Sequence, residues 1–172
     1  MKVMNKPSVA VIMGSKSDLP ILQNAFKIFD HFGVGFTARV LSAHRTPDET
    51  AEFASGLEAK GYKVVICAAG MAAHLGGVVA AHTTLPVIGV PVASEPFNGL
   101  DALYSVVQMP PGIPVAAVTV GKAGGKNAAL YAIAILALSD PVLAERLREY
   151  RVDQREMVLT ADAELQEELK ER

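Results

Sequence analysis

With 172 residues the chain is long enough for one domain that buries on the order of 70% of its unfolded surface, and no shift in composition marks a second. Apolar residues make up 51% of it and charged residues 20%, and the net charge of -2 excludes the broad basic field that would gather nucleic acid or an anionic membrane. A single cysteine excludes an internal disulfide and suits a reducing compartment, so a cytoplasmic location is expected.

The first seven residues, "MKVMNKP", read as a tail, and the apolar run that follows is too short for a signal-peptide core. No stretch of about 20 apolar residues offers a membrane span. Residues 8–13, "SVAVIM", form the first expected strand. It runs into "MGSKSD", where Gly14 permits a tight turn, Ser15 and Ser17 offer hydroxyls, and Asp18 can cap the next helix. Two readings stand side by side for this loop: a plain capped turn, and a polar cradle for an anion at a helix amino terminus. The helix after it, "DLPILQNAFKIFDHF", aligns Leu19, Leu22, Phe26 and Phe29 on one stripe, with His31 at its carboxyl end as a structural residue.

A second strand is expected at 36–41, "FTARVL", followed by "SAHRTPDE". Here Ser42 and Thr46 can cap, Pro47 suits a first helical turn, and Arg45 can hold a phosphate in its fork. His44 beside that arginine is a candidate general acid and base, since an imidazole exchanges protons near neutral pH. A helix over 47–61 opens on proline and closes on glycine.

The third strand, 63–69, carries Cys67 as an inert core thiol. In "AAGMAAHLGG" after it, Gly70, Gly76 and Gly77 flank small residues that leave space for a flat ligand near backbone amides. His74 either faces that cavity or is a structural histidine at a helix start. His82 reads as a loop residue. Strands are expected again at 85–92 and 115–120.

Residues 124–140 are apolar around nearly the whole helical circumference and should be buried in the core or in a subunit contact. From Glu145 to Arg172 acidic and basic residues interleave, which marks a solvated helix, with Leu143, Leu147 and Tyr150 docking on the body and the last residues fraying. The charged segment proper is placed at about 151–172 and the body at about 8–150.

Five βα units imply an α/β fold: a three-layer αβα sandwich on a doubly wound parallel sheet, flavodoxin-like in strand order, with ligands at the carboxyl ends of the strands. "GKAGGKNA" is not a phosphate loop, because Lys126 stands where that pattern needs glycine and Asn127 follows where it needs Ser or Thr. No dinucleotide fingerprint follows a strand, and the four histidines lack zinc spacing, so neither a metal nor a dinucleotide is supported. The apolar bulk of so small a chain, including "LYSVVQMP", points to a homo-oligomer.

Taken together and in order, "MGSKSD", "SAHRTPDE", "AAGMAAHLGGVVAAHTTLPVIGVPV", "GLDALYSVVQMPPGIPVA" and "GKAGGKNAALYAIAIL" resemble the 5-(carboxyamino)imidazole ribonucleotide mutases of purine biosynthesis over roughly residues 8–150. The resemblance implies an octamer, a ribonucleotide substrate and a carboxyl group moved from an exocyclic nitrogen to ring carbon 4 without cofactor. It implies that His44 transfers the proton, that Ser15, Ser17, Asp18 and Arg45 hold the ribose phosphate, and that Gly14, Ser42, Gly70, Ala73, His74 and Leu75 complete the substrate site. Gly76 departs from the proline usual in the family pattern, and Pro111 stands where that pattern often has a basic residue. A related carboxylase that uses free carbon dioxide shares the fold and the histidine. A non-enzymatic flavodoxin-like binding module is the alternative of a different class, and the 6% aromatic content without tryptophan leaves few groups to sandwich a flavin.

Overall fold

Val9–Met13 (β1) is buried at all five positions, which requires a strand on each side and helices over both faces. The computed structural model describes residues 6–170, so most of the expected 1–7 tail lies outside the described residues. Phe36–Val40 (β2) pairs with β1 on one side and Val64–Gly70 (β3) on the other. Val87–Val92 (β4) and Ala116–Ala117 (β5) complete a parallel sheet of order β2-β1-β3-β4-β5. That is the flavodoxin-like order expected from the sequence. Met13 lies level with Val40 on one side and Ala68 on the other, so β1 and β2 end at one height while β3 runs two residues further, to Gly70.

The strand period of two divides the core. Val9, Val11 and Met13 face Leu19–Phe32 (α1) and Lys122–Ala137 (α5), where Leu22, Phe29, Phe32, Ala128, Ala129 and Ile133 are buried. Ala10 and Ile12 face Pro47–Ser55 (α2) and Leu75–Ala80 (α3) through Phe53, Ala54, Leu75 and Val79. Leu100–Val107 (α4) extends this second layer, packing Ala102 and Val106 on Ala73. Burying each leucine or phenylalanine is worth roughly 1.5 to 3 kcal/mol.

Two elements differ from the sequence reading. The expected strand 115–120 shrinks to two residues. Val118 and Gly121 donate to the carbonyls of Gly89 and Pro91, so Pro91 presents its missing N–H to that same edge and the ladder loses a bond there. Regular helix in 47–61 ends at Ser55, and the rest winds down through turns that close at Gly61, whose φ is +89°. The apolar segment 124–140 buries one face in the core, and its other face, with Tyr131 and Leu138 exposed, is open to the subunit contact that the sequence reading also allowed.

After Asp140, whose carboxylate accepts from the N–H groups of Val142 and Leu143, Pro141–Lys170 (α6) runs as one 30-residue helix. No break separates body from tail near residue 151. Leu143 is buried, Leu147 and Tyr150 pack beside it, and Arg146 donates to the carbonyls of His31 and Phe32 at the carboxyl end of α1.

The "GKAGG" glycines serve close packing. A Cβ at Gly124 would overlap the carbonyl oxygen of Thr119, and one at Gly125 the carbonyl oxygen of Ile21 on α1. Gly124→Ala is therefore expected to destabilise the fold by about 2 kcal/mol or more, because the obstacle is backbone that cannot swing aside. A thermal unfolding midpoint equal to the parent's would contradict this.

Candidate active site

The loops after β1, β2, β3 and β4 surround one cleft of about 660 Å³ at the carboxyl edge of the sheet. It lies where the chain reverses its direction across the sheet, between β1 and β3. Gly14, Ser15, Ser17, Asp18, Ser42, His44, Arg45, Gly70, His74 and Leu75 all line it. Ala73 does not; it is buried beneath, against Ala102 and Val106, and Gly76 and Gly77 face Val115 and Met109 rather than the cleft.

The loop after β1 is built around a capping box. Ser15 Oγ accepts from the backbone N–H of Ser17 at 3.3 Å, and the backbone N–H of Ser15 donates to Asp18 Oδ2 at 3.1 Å. Ser17 Oγ lies 2.9 Å from Ser15 Oγ and 3.4 Å from Asp18 Oδ1. Ser15 Oγ accepts the backbone proton of the turn while its hydroxyl lies in contact with that of Ser17. The capped turn and the polar cradle are thus one structure. Asp18 organises it from a buried position, and burial pushes its carboxyl above the usual range against the opposing pull of the Ser15 N–H, the Ser17 hydroxyl and the Arg45 charge.

The loop after β2 closes on itself. Thr46 Oγ1 accepts from the Ser42 N–H at 2.8 Å and donates to the Ser42 carbonyl at 3.1 Å, while buried Thr50 donates to the Thr46 carbonyl at 2.7 Å. On this frame Arg45 donates from Nη2 to the Gly14 carbonyl at 2.9 Å and from Nε to Ser42 Oγ at 3.3 Å. The arginine ties the first loop to the second and keeps its Nη1 edge for a ligand.

From the loop after β3, His74 reaches His44. The Nδ1 of His74 is 2.9 Å from the Nε2 of His44, and the rings meet edge to face. Next to it Met71 holds a positive φ of 56° and is 63% exposed on the cleft wall. Such a conformation in a non-glycine residue costs of order 1 to 3 kcal/mol and is typical of functional sites.

The sequence reading missed Met71 and the wall formed by Val92, Ala93 and Ser94. Ser94 Oγ is buried without a hydrogen-bond partner among the described residues. The rule that singled out the first three strand-end loops applied equally to "VASEPF", and following it would have found Ser94. Among the described residues no three of His, Cys, Asp and Glu gather into a metal-binding group.

Since the Asp18 value is raised in the fold, folding favours its protonated form. Its contribution is most favourable at acid pH and is lost as pH rises through the folded-state value. Asp18→Asn, which keeps an acceptor and carries no charge, should gain in stability on the parent between about pH 4 and about pH 7. Urea unfolding midpoints across that range test this, and a gap that does not vary with pH would refute the burial effect.

Comparison with known proteins adds the family. The AIR carboxylase family model matches residues 8–157. The N5-carboxyaminoimidazole ribonucleotide mutase of Pyrococcus abyssi is 54% identical over 147 residues, covering 86% of this chain and 83% of that protein. The enzyme of the same name from Escherichia coli K12 is 51% identical over 155 residues, 90% and 92% of the two chains. Among solved structures, Treponema denticola PurE superposes with a TM-score of 0.84 at 31% identity, covering 92% of this chain and 98% of its own. A cleft of this make-up on a flavodoxin-like sheet, matched by relatives of half-identical sequence along most of its length, identifies the chain as a member of the AIR carboxylase family.

Proposed function

We propose that the chain converts N5-carboxyaminoimidazole ribonucleotide to its carbon-carboxylated isomer in purine biosynthesis. The observation that carries this reading is the meeting, in one cleft, of a histidine on a fixed loop with a serine and arginine cradle, in a chain half identical to enzymes named for that reaction.

Ser15, Ser17 and the open edge of Arg45 hold the ribose phosphate, with the backbone N–H groups of the turn around them. Asp18 acts on the phosphate indirectly, through the loop it braces. Gly70 and the small residues of the third loop leave room for the imidazole ring; a Cβ at Gly70 would stand 3.1 Å from the Val92 carbonyl oxygen.

The chemistry needs one acid and base. The bond between the exocyclic nitrogen and the carboxyl carbon breaks, its electron pair stays on nitrogen, and protonated His44 gives nitrogen a proton. Carbon dioxide is released within the cleft. Ring carbon 4 then attacks it, forming the new carbon–carbon bond, and neutral His44 removes the proton that carbon 4 carried. Atoms balance as an isomerisation, and His44 returns to its starting charge. Cys67 is buried, and burial pushes its thiol up, so it stays a protonated bystander. The same reading places the enzyme in the cytoplasm.

Assembly belongs to the proposal. Leu100, Tyr104 and Val107 on α4, with Tyr131 and Leu138 along and beyond α5, are exposed apolar groups that symmetric copies would cover, and the resemblance sets their number at eight. In light scattering a fully active particle of monomer mass would overturn this.

The decisive assay incubates the protein with the carboxyamino ribonucleotide and follows the carbon-carboxylated isomer without ATP or added bicarbonate. Product only from the aminoimidazole ribonucleotide plus bicarbonate would instead make it the carboxylase, and product in neither case would leave a binding module. His44→Asn should keep ligand affinity and lower turnover a hundredfold or more, on the order expected for losing an acid–base group. Arg45→Ala should weaken ribonucleotide binding by roughly tenfold to a hundredfold, the worth of a charge-assisted contact. Parent-like turnover in the first or parent-like affinity in the second would remove that residue from its role.

A further inference from the structure

We propose that His74 is a positioning residue that holds His44 in a single tautomer through both proton transfers, an inference that rests on the mutase reading above. The two imidazoles come from different loops, 30 residues apart, and approach at 2.9 Å between His44 Nε2 and His74 Nδ1. Their planes cross at 86°, with ring centroids 5.0 Å apart. A contact this short between two ring nitrogens holds one proton, donated by one ring to the lone pair of the other.

The direction follows from the reaction. As the acid, His44 carries protons on both nitrogens, so its Nε2–H can only donate and His74 Nδ1 must accept. His74 is then neutral, with its own proton on Nε2. When His44 has given up the other proton, from Nδ1, the hydrogen bond to His74 still holds the proton on Nε2. The lone pair that remains is on Nδ1, the nitrogen that has just acted. One nitrogen therefore gives the proton to the departing amine and takes the proton from ring carbon 4, and no ring flip or change of tautomer intervenes.

Asp18 and Arg45 are the other charged groups lining the cleft. Asp18 accepts from Ser15 and Ser17, and Arg45 donates to Gly14 and Ser42, so both are engaged in the first two loops. His74 is itself exposed at the start of α3, and its replacement leaves the core untouched.

Two variants and one spectrum test the proposal. His74→Leu removes the acceptor. It should lower kcat by roughly tenfold to a hundredfold, the usual cost of losing a partner that orients an active histidine, with KM within about threefold of the parent. The basic limb of the kcat profile should move to lower pH by roughly half a unit to one unit, the equivalent of one hydrogen bond to the acid form. His74→Asn sets an amide oxygen two bonds from Cβ, where Nδ1 was, and should recover most of the loss. Imidazole nitrogen-15 NMR of the substrate-free parent should place the proton of neutral His44 wholly on Nε2, and His74→Leu should relax it to the mixture of both tautomers, Nε2–H predominating, that an unpaired imidazole shows.

Unchanged kcat and pH profile in His74→Leu, a defect confined to KM, or no recovery in His74→Asn would each overturn the proposal, as would an NMR assignment of the proton to Nδ1. Because the spectrum needs no turnover, a parent that shows the Nε2 tautomer yet lacks mutase activity would sink the functional reading and leave the pairing standing.

Discussion

Everything at the cleft depends on the level pairing of β1 with both of its neighbours. Met13 stands opposite Val40 and opposite Ala68, so the chain leaves β1 and β2 in one plane and β3 two residues above it, at Gly70. A slip of one residue in either ladder would turn alternate side chains to the wrong layer and lift one loop by about 3.3 Å. The Arg45 contact to Gly14 and the His44 contact to His74 span just these joints, the first across β1 and β2, the second between the loops of β2 and β3. Both are short because the sheet has already brought their loops together. The burial of Val9, Val11 and Ile12 at 0% exposure is what makes that register rigid.

Much of this was legible beforehand, and the reason differs from element to element. The strand at 64–70 and the stripe of Leu22 and Phe29 could be read because burial on two faces, or on one, leaves its period in the sequence. The first three loops could be read because a parallel sheet sends every strand-end loop to one edge. The shortened β5 could not, since Pro91 matters only once it is known which edge it turns toward β5. Which face of α5 enters the core could not be read for a related reason. A stretch of Ala, Ile and Leu is compatible with any orientation, and what fixes it is the pair Gly124 and Gly125, whose missing side chains let backbone approach backbone. Likewise, nothing in the spacing of His44 and His74 distinguishes contact from neighbourhood.

The loops around the cleft have two characters. Polar contacts in the first two loops are local and interlocked: Ser15 with Ser17 and Asp18, Ser42 with Thr46. Their cost in ordering is met by the fold before any ligand arrives, which is the condition for donors to act without reorganising. The third and fourth loops have a different character. Small side chains, the left-handed Met71 and the unpartnered Ser94 hydroxyl make a wall with room and unspent hydrogen-bonding capacity.

The last feature with wider reach is α6. Every described residue from Arg155 onward is exposed, and at 1.5 Å per residue this stretch projects by about 24 Å. Its side chains make short ion pairs within the helix, Arg148 with Glu145 and Lys170 with Glu167, both well hydrated and worth little individually. A rod of this kind enlarges the volume the molecule sweeps as it tumbles far more than it enlarges the mass. In a lone subunit these sixteen or so residues, which contribute least to the core, raise frictional drag and rotational correlation time beyond their share of the mass, and any surface approaching that end of the subunit meets the helix before it meets the sheet.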